Sequence, residues 1–122
     1  MADTKKEKLL DILENLQKEG DISESMAVSR DGLPIVSNTE KTDVETFAAM
    51  AAAMQGAAET AIAELKQGEV EQIIIESNKG KIISIGAGAK AILITRASKT
   101  ANLGLAMIEM KKAAKKIEDV LK

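Results

Sequence analysis

The sequence predicts one α/β domain, a three-layer sandwich in which helices cover both faces of a five-stranded antiparallel sheet. Three segments repeat their apolar residues with a helical period, and five short apolar runs are bounded by turn residues, as strands are. The links between neighbouring strands are short, which favours antiparallel pairing. The 122 residues contain no repeat or linker, so residues 1–122 are predicted to form a single domain.

The composition excludes several classes of function. The chain has no cysteine and no histidine, so it has neither disulfides nor the usual zinc ligands, and we expect a cytoplasmic protein. Seventeen basic and nineteen acidic residues are scattered along it, and only one residue is aromatic. A nucleic acid is therefore not an expected partner, because neither a basic face nor a stacking platform is present.

The first helix and the hairpin after it are predicted from local signals. The segment "TKKEKLLDILENLQKEG" places four apolar residues on one helical stripe, with Gly20 as the expected left-handed stop. Asp31 and Gly32 then separate two apolar runs, which is a strong hairpin signal because both residues tolerate a positive φ. Pro34 lacks an amide donor, so the second strand should lie at a sheet edge.

A long second helix is predicted to begin at the capping box "TDVE", with Thr42 as the cap and Glu45 reaching back to it. It should end at Lys66 or Gln67, before Gly68. One apolar stripe is expected to pack on the sheet: Val44, Phe47, Ala48, Ala51, Ala58, Ile62 and Leu65.

The opposite side of this helix is unusual, because the stretch "FAAMAAAMQGAAET" carries no charge before Glu59. A surface helix normally shows charged residues there. The side consists of Ala49, Met50, Ala53, Gly56, Ala57 and Thr60. Small residues at these spacings allow a second helix to approach closely, and a glycine inside a helix calls for a packing reason.

Three interpretations compete for this stretch. The run is too short and too rich in alanine to span a membrane, so membrane insertion is not expected. The stretch could reflect the helix propensity of alanine alone, or burial inside a monomer. We favour self-association, with two copies crossing antiparallel about a two-fold axis.

Three strands are predicted at residues 70–77, 81–86 and 90–96, and we expect the first of them at a sheet edge. Because Ile73 and Ile75 point one way and Ile74 the other, the sheet should be covered on both faces. The edge could pair with its own copy, so Glu71, Ile73 and Ile75 join the predicted dimer interface.

The last segment, from residue 100 onward, predicts a third helix. One apolar stripe contains Leu103, Ala106, Met107, Met110, Ala114, Ile117 and Leu121. Leu105 and Ile108 lie off that stripe. The expected order is therefore α-β-β-α-β-β-β-α.

Residues 8–121 resemble the roadblock/dynein light chain domain family in its stand-alone prokaryotic form. The resemblance is carried by the hairpin "VSRDGLPIVS", the small-residue helix, "IIIESNKGKIISI" and "TANLGLAMIEMKKAA", in this order. It implies a roadblock or profilin-like fold and a homodimer built from the second helix and third strand. It also implies a platform for small Ras-like GTPases, or for motor and scaffold complexes.

Catalysis is not expected, because only carboxylates, lysines and hydroxyls are present to act. Asp11 and Glu14 are spaced as solvated helix residues usually are, and we expect no metal and no cofactor. "GAGAK" lacks the spacing of a phosphate-binding loop and is predicted to be a turn. Arg30 and Arg96 are expected to be exposed cations at strand ends, and we name Arg30 and Met54 as partner-binding residues.

The expected function is that of a homodimeric, non-enzymatic adaptor that binds and regulates a small Ras-like GTPase. A small-molecule sensor domain is one alternative, although the strands offer no aromatic lining for an apolar pocket. A scaffold subunit of a larger hetero-oligomeric complex, without a GTPase partner, is another.

Overall fold

The computed structural model describes residues 4–122 and has the predicted element order. The elements are α1 (Lys5–Gly20), β1 (Glu24–Ser29), β2 (Pro34–Asn38), α2 (Val44–Glu64), β3 (Ile73–Glu76), β4 (Gly80–Gly86), β5 (Ala91–Ser98) and α3 (Leu103–Leu121). The five strands form one antiparallel sheet in the order β2-β1-β5-β4-β3. Both predicted edge strands, β2 and β3, therefore lie at the edges.

Helix α1 begins at the N-cap Thr4, whose hydroxyl accepts from the Glu7 backbone while the Glu7 side chain reaches back. The prediction that Gly20 is the left-handed stop is wrong, because Asp21 takes that conformation with φ 58°. A glycine at position 20 instead allows the end of α1 to pack closely against α3. A Cβ there would lie 3.2 Å from Ile22 Cδ1 and 3.3 Å from Glu109 Cβ, where α1 meets α3.

The β1–β2 hairpin forms at the predicted place, but only Gly32 has a positive φ, of 89°. Its N–H donates to the Ser29 carbonyl, and the Ser29 N–H donates to the Leu33 carbonyl. This pattern is a four-residue turn closed by one left-handed glycine. A register shift at Ala27 and Val28 accompanies it.

Helix α2 does not begin with the predicted capping box. Its N-cap is Asp43, whose carboxylate accepts from the backbone N–H groups of Glu45 and Thr46. Thr42 is not available as a cap, because its hydroxyl donates to the Glu24 carboxylate on β1. At the other end Leu65 is the C-cap, so α2 stops close to the predicted position.

Two apolar clusters cover the two faces of the sheet. The larger cluster lies beneath α1 and α3 and includes Leu13, Leu93 and Ile117. The smaller one lies beneath α2 and includes Met26, Phe47, Ala48, Ala51 and Ile94. The predicted three-layer sandwich is confirmed, with two helices on one face and one on the other.

Candidate interaction surface

The uncharged side of α2 faces solvent along its whole length. All six residues predicted for the dimer interface on this helix are exposed: Ala49, Met50, Ala53, Gly56, Ala57 and Thr60. Met50 alone is 57% exposed, which is high for a large apolar side chain. Burial inside the monomer is therefore not the reason for this composition.

Gly56 is not required by anything inside the chain. Within the described residues 4–122, a Cβ built at this position would meet no atom within 4 Å, and the φ of Gly56 is not positive. Glycine in a helix interior costs about 1 kcal/mol relative to alanine. The chain's own packing therefore offers no reason for a glycine here.

The C-terminal half of α2 extends past the sheet. The helix packs mainly on β1, β2 and β5 through its first half. The prediction that Ala58, Ile62 and Leu65 lie on the sheet is wrong, since the first two are only half-buried and Leu65 is 67% exposed. A helix of 21 residues is about 32 Å long, whereas the six-residue strand β1, along which α2 runs, is only about 20 Å long. The last turns of α2 therefore leave further apolar residues uncovered.

Strand β3 is shorter than predicted and is not fully covered on either face. It spans Ile73–Glu76, so Glu71 is exposed but lies before the paired strand. Ile74 is 37% and Ile75 39% exposed, which contradicts the expectation of a sheet covered throughout. The outer edge of β3 has no neighbouring strand among residues 4–122, so its backbone groups on that side are unpaired within the sheet.

Two of the β3 isoleucines lie on the same side of the sheet as α2. Ile75 is opposite Ile82 in the register, and Ile82 packs against the cluster beneath α2. Ile73, two residues away, points to the same side. We call the exposed side of α2 together with Ile73 and Ile75 the α2–β3 surface.

Leu33, in the β1–β2 turn, is an exposed apolar residue next to α2 that was not predicted from the sequence. Gly32 sits directly on α2, where its Cβ would lie 3.4 Å from Ala52 Cβ and 3.5 Å from Ala49 Cα. Leu33, the next residue, is 64% exposed beside this contact. An apolar residue at a hairpin tip was the only signal that could have identified it.

The two residues predicted to bind a partner make contacts within the chain. Met54 is half-buried against the cluster beneath α2. Arg30 donates from Nη1 to Glu59 Oε2 at 3.0 Å and from Nη2 to the Gly88 carbonyl at 2.8 Å. Both residues border the α2–β3 surface, and their role toward a partner stays a prediction.

Arg96 is 47% exposed, as expected, but it also belongs to a polar cluster around the buried carboxylate of Glu24 that the sequence did not indicate. It is 2.9 Å from the carboxylate of Glu24, which also accepts from Thr42 and from the backbone N–H groups of Glu40 and Lys41. Burial alone would raise the pKa of Glu24, but these hydrogen bonds outweigh it and lower the pKa from 4.5 to about 2. The cluster holds the segment before α2 against β1 and β5.

Residues 4–122 lack two further features. No group of three or more acidic side chains is placed to hold a metal ion. None of the three helices combines the length and hydropathy required to cross a bilayer.

The comparisons with known proteins agree with this architecture. A family model described as the Roadblock/LC7 domain matches residues 8–97. An uncharacterized protein of Methanocaldococcus jannaschii is 43% identical over 108 residues, which cover 88% of this chain and 94% of the relative.

Solved structures reproduce the fold at low sequence identity. The gliding protein MglB of Thermus thermophilus superposes with a TM-score of 0.89 at 17% identity, covering 98% of this chain and 93% of that chain. MglB of Myxococcus xanthus superposes with a TM-score of 0.87 at 20% identity, covering 93% and 94%. The family model spans most of the chain, and the order of elements and the strand order are those of this fold. The chain therefore belongs to the roadblock/LC7 domain family.

Proposed function

We propose that this protein is a non-enzymatic, homodimeric adaptor of the cytoplasm that binds a small Ras-like GTPase and regulates its nucleotide cycle or its location. The dimer would be built on the α2–β3 surface. The observation that carries the proposal is the exposure of the uncharged side of α2, together with the unpaired edge of β3, whose Ile75 lies on the same side of the sheet.

Exposed apolar surface and an open strand edge both favour association. Water in contact with Met50 and Ile75 is released when the surface is covered, which contributes about 25 cal/mol for each Å² of apolar area. An uncovered edge strand also presents backbone donors and acceptors to any strand that approaches it. Covering both at once requires a partner with a helix and a strand edge in the same arrangement.

A second copy of the chain meets that requirement. In a two-fold contact each copy presents the same helix and the same edge, so α2 would pack on α2 and β3 on β3. The absence of side-chain bulk at Ala53 and Gly56 allows two helix backbones to approach closely. The apolar residues on the overhanging end of α2 would then also find neighbours.

The GTPase half of the proposal is supported by family membership and by what the chain lacks. Its sequence has no histidine, no cysteine and no phosphate-binding loop, so its effect on a nucleotide cycle would come through binding. To regulate a GTPase it must bind the two nucleotide states with different affinities. A dimer would offer a broad platform on the two paired helices.

Binding to purified Ras-like GTPases tests this half directly. Each GTPase is loaded with GDP or with a non-hydrolysable GTP analogue and immobilised, and the full chain is passed over it. We expect saturable binding at least tenfold tighter to one nucleotide state. Failure to bind any GTPase in either state would overturn the GTPase assignment, and a dimer without such a partner would match the scaffold alternative.

A further inference from the structure

A cavity of about 300 Å³ opens on the α2 side of the sheet, where β3 ends and β4 begins. Ile75, Ile82 and Arg96 lie opposite one another in the register of β3, β4 and β5, so their side chains point to the same face of the sheet. Ile82 packs against the cluster beneath α2, which identifies that face. The chain's own α2 leaves the cavity open, since the lining residues within positions 4–122 all come from the strands and the turns beside them.

The lining of this cavity combines an apolar floor with positive charge. Ile75 is 39% exposed there, and Ile82 is half-buried beside it. Lys79, in the β3–β4 turn, and Arg96, at the end of β5, both line the cavity, and Glu24 offsets only part of the charge by accepting from Arg96 Nη1. No acidic side chain is among the residues of 4–122 that line it. An occupant that fits carries an apolar side chain next to a negative charge.

Residues 61–65, which we call the α2 end, have both of these properties. Leu65 is 67% exposed past the end of the sheet, and Glu64 beside it is also exposed. The last turn of α2 contains no basic residue, and Lys66 comes only after the C-cap. The carbonyl end of a helix carries partial negative charge, to which Glu64 adds its own. The α2 end is therefore both apolar and negative.

A single chain keeps its α2 end away from its own cavity. Arg30 donates to Glu59 on α2 and to the carbonyl of Gly88, just after β4, so the last turns of α2 lie at the end of the sheet where β4 finishes. The cavity lies where β4 begins. A strand of seven residues, roughly 23 Å long, separates the two.

The proposed two-fold dimer brings the α2 end and the cavity together. Because β3 is antiparallel to β4, it begins at the end of the sheet that holds the chain's own α2 end, and it finishes at the cavity. When two β3 edges pair antiparallel, the end of one strand lies beside the start of the other, and the joined sheet keeps both α2 helices on one face. The cavity of each copy therefore opens beside the α2 end of the other copy.

We propose that the α2 end of one copy closes the cavity of the other. Leu65 of the partner subunit packs on the apolar floor, and Glu64 of the partner subunit lies near Lys79 and Arg96. The two-fold axis makes this contact twice in each dimer. The inference rests on the proposed homodimer, to which it adds a contact besides those of α2 on α2 and β3 on β3.

Cross-linking tests the contact, because the chain has no cysteine of its own. The full-length variants Leu65→Cys and Ser98→Cys are mixed, left until their subunits exchange, and treated with a short bismaleimide. Ser98 is exposed and lines the cavity. A covalent product of twice the chain mass is expected from the mixture and from neither variant alone. Leu65→Cys mixed with Lys115→Cys is the control and should give none, because Lys115 is exposed on α3, at the other face of the sheet.

Charge reversal tests the same contact without a cross-linker. Glu64→Lys and Lys79→Glu should each raise the dissociation constant of the dimer about threefold or more, because like charges then meet at the cavity. Combining both substitutions in one chain should recover most of the lost affinity. Because the two residues lie at opposite ends of the sheet in one chain, only a contact between copies can produce this recovery. Glu14→Lys makes the same change of charge at an exposed position on α1 and should leave the constant unaltered.

Sedimentation equilibrium of the same samples separates this inference from the proposed function. If the wild-type protein is a dimer but the mixture of Leu65→Cys and Ser98→Cys gives no cross-link, the contact is overturned and the homodimer stands. A doubly reversed variant that dimerises no more tightly than the singly reversed ones has the same meaning. A wild-type mass of 13.0 kDa at every concentration would overturn both the contact and the homodimer.

Discussion

Glu24 and Arg96 lie opposite each other on the neighbouring antiparallel strands β1 and β5, and Glu24 Oε1 is 2.9 Å from Arg96 Nη1. The Glu24 side chain is buried to all but 8%, and its carboxylate also accepts from the backbone of Glu40 and Lys41 and from the Thr42 hydroxyl. One side chain therefore joins two strands to the segment that leads into α2. A buried carboxylate with this many donors stabilises the fold only while it is ionised.

The stability of the protein should fall in acid through Glu24. The pKa of Glu24 is lowered from 4.5 to about 2 in the folded state, so its contribution is present above pH 4.5 and is lost as the pH falls toward 2. The full contribution is about 3 kcal/mol. Urea unfolding at pH 7 and pH 3 measures it, and Glu24→Gln should lose about 3 kcal/mol at pH 7 and about half of that or less at pH 3.

Glu14→Gln is the matched control, because Glu14 is exposed on α1. It should change the free energy of unfolding by less than about 0.5 kcal/mol at either pH. If Glu24→Gln and the wild type lose the same free energy between pH 7 and pH 3, Glu24 is not the group responsible.

Gly32 should not tolerate alanine. Its φ of 89° is unfavourable for any side chain, so Gly32→Ala should cost about 1–2 kcal/mol although a Cβ would find ordinary contact distances to Ala52 and Ala49. Gly104→Ala is the opposite case. Gly104 is exposed near the start of α3 without a positive φ, so alanine there should be neutral or stabilise by up to about 1 kcal/mol. Thermal unfolding of both variants checks the sign, and equal effects would contradict this account of the turn.

Gly56→Leu should separate the proposed dimer and leave the fold intact. The chain itself has open space at this position, so the larger side chain should harm only an interface. We expect the dissociation constant to rise at least a hundredfold by light scattering, with an unchanged circular dichroism spectrum. Gly104→Leu makes the same change at another exposed helical glycine and should leave the mass unaltered. If the Gly56→Leu variant is still a dimer with an unchanged dissociation constant, Gly56 is not part of the interface.

Ile75→Lys tests the strand edge separately. A lysine at this place in a two-fold contact would bring two like charges near each other and desolvate them, so the dissociation constant should rise at least tenfold. Ile108 on α3 is 56% exposed and lies on the other face of the sheet, which makes Ile108→Lys a control. If both substitutions change the mass in solution equally, the dimer contact does not include the edge of β3.

The order of the elements could be predicted because each carries a local signal. The stripe of α1, the turn at Gly32 and the edge position implied by Pro34 depend on residues close in sequence. The start of α2 could not be predicted in the same way. Thr42 and Asp43 are equally good caps, and Asp43 becomes the cap because Glu24, 18 residues away from Thr42, engages the Thr42 hydroxyl.

Part of the candidate surface could also be predicted, because part of its signal is local in the sequence. The lack of charged residues on one side of α2 is visible in the sequence, and the structure shows that the uncharged residues on that side are exposed to solvent. The exposure of Leu33, the overhang at Leu65 and the burial of Gln55 depend on where α2 crosses the sheet. That crossing is set by packing between distant residues, and no local pattern encodes it.

The mass of the wild-type protein in solution tests the central claim most directly. Sedimentation equilibrium over a range of micromolar concentrations should give twice the chain mass of 13.0 kDa, because the α2–β3 surface is covered by a second copy. A mass of 13.0 kDa at every concentration, with Ala53 and Gly56 left in water, would contradict the proposed assembly and the adaptor function built on it.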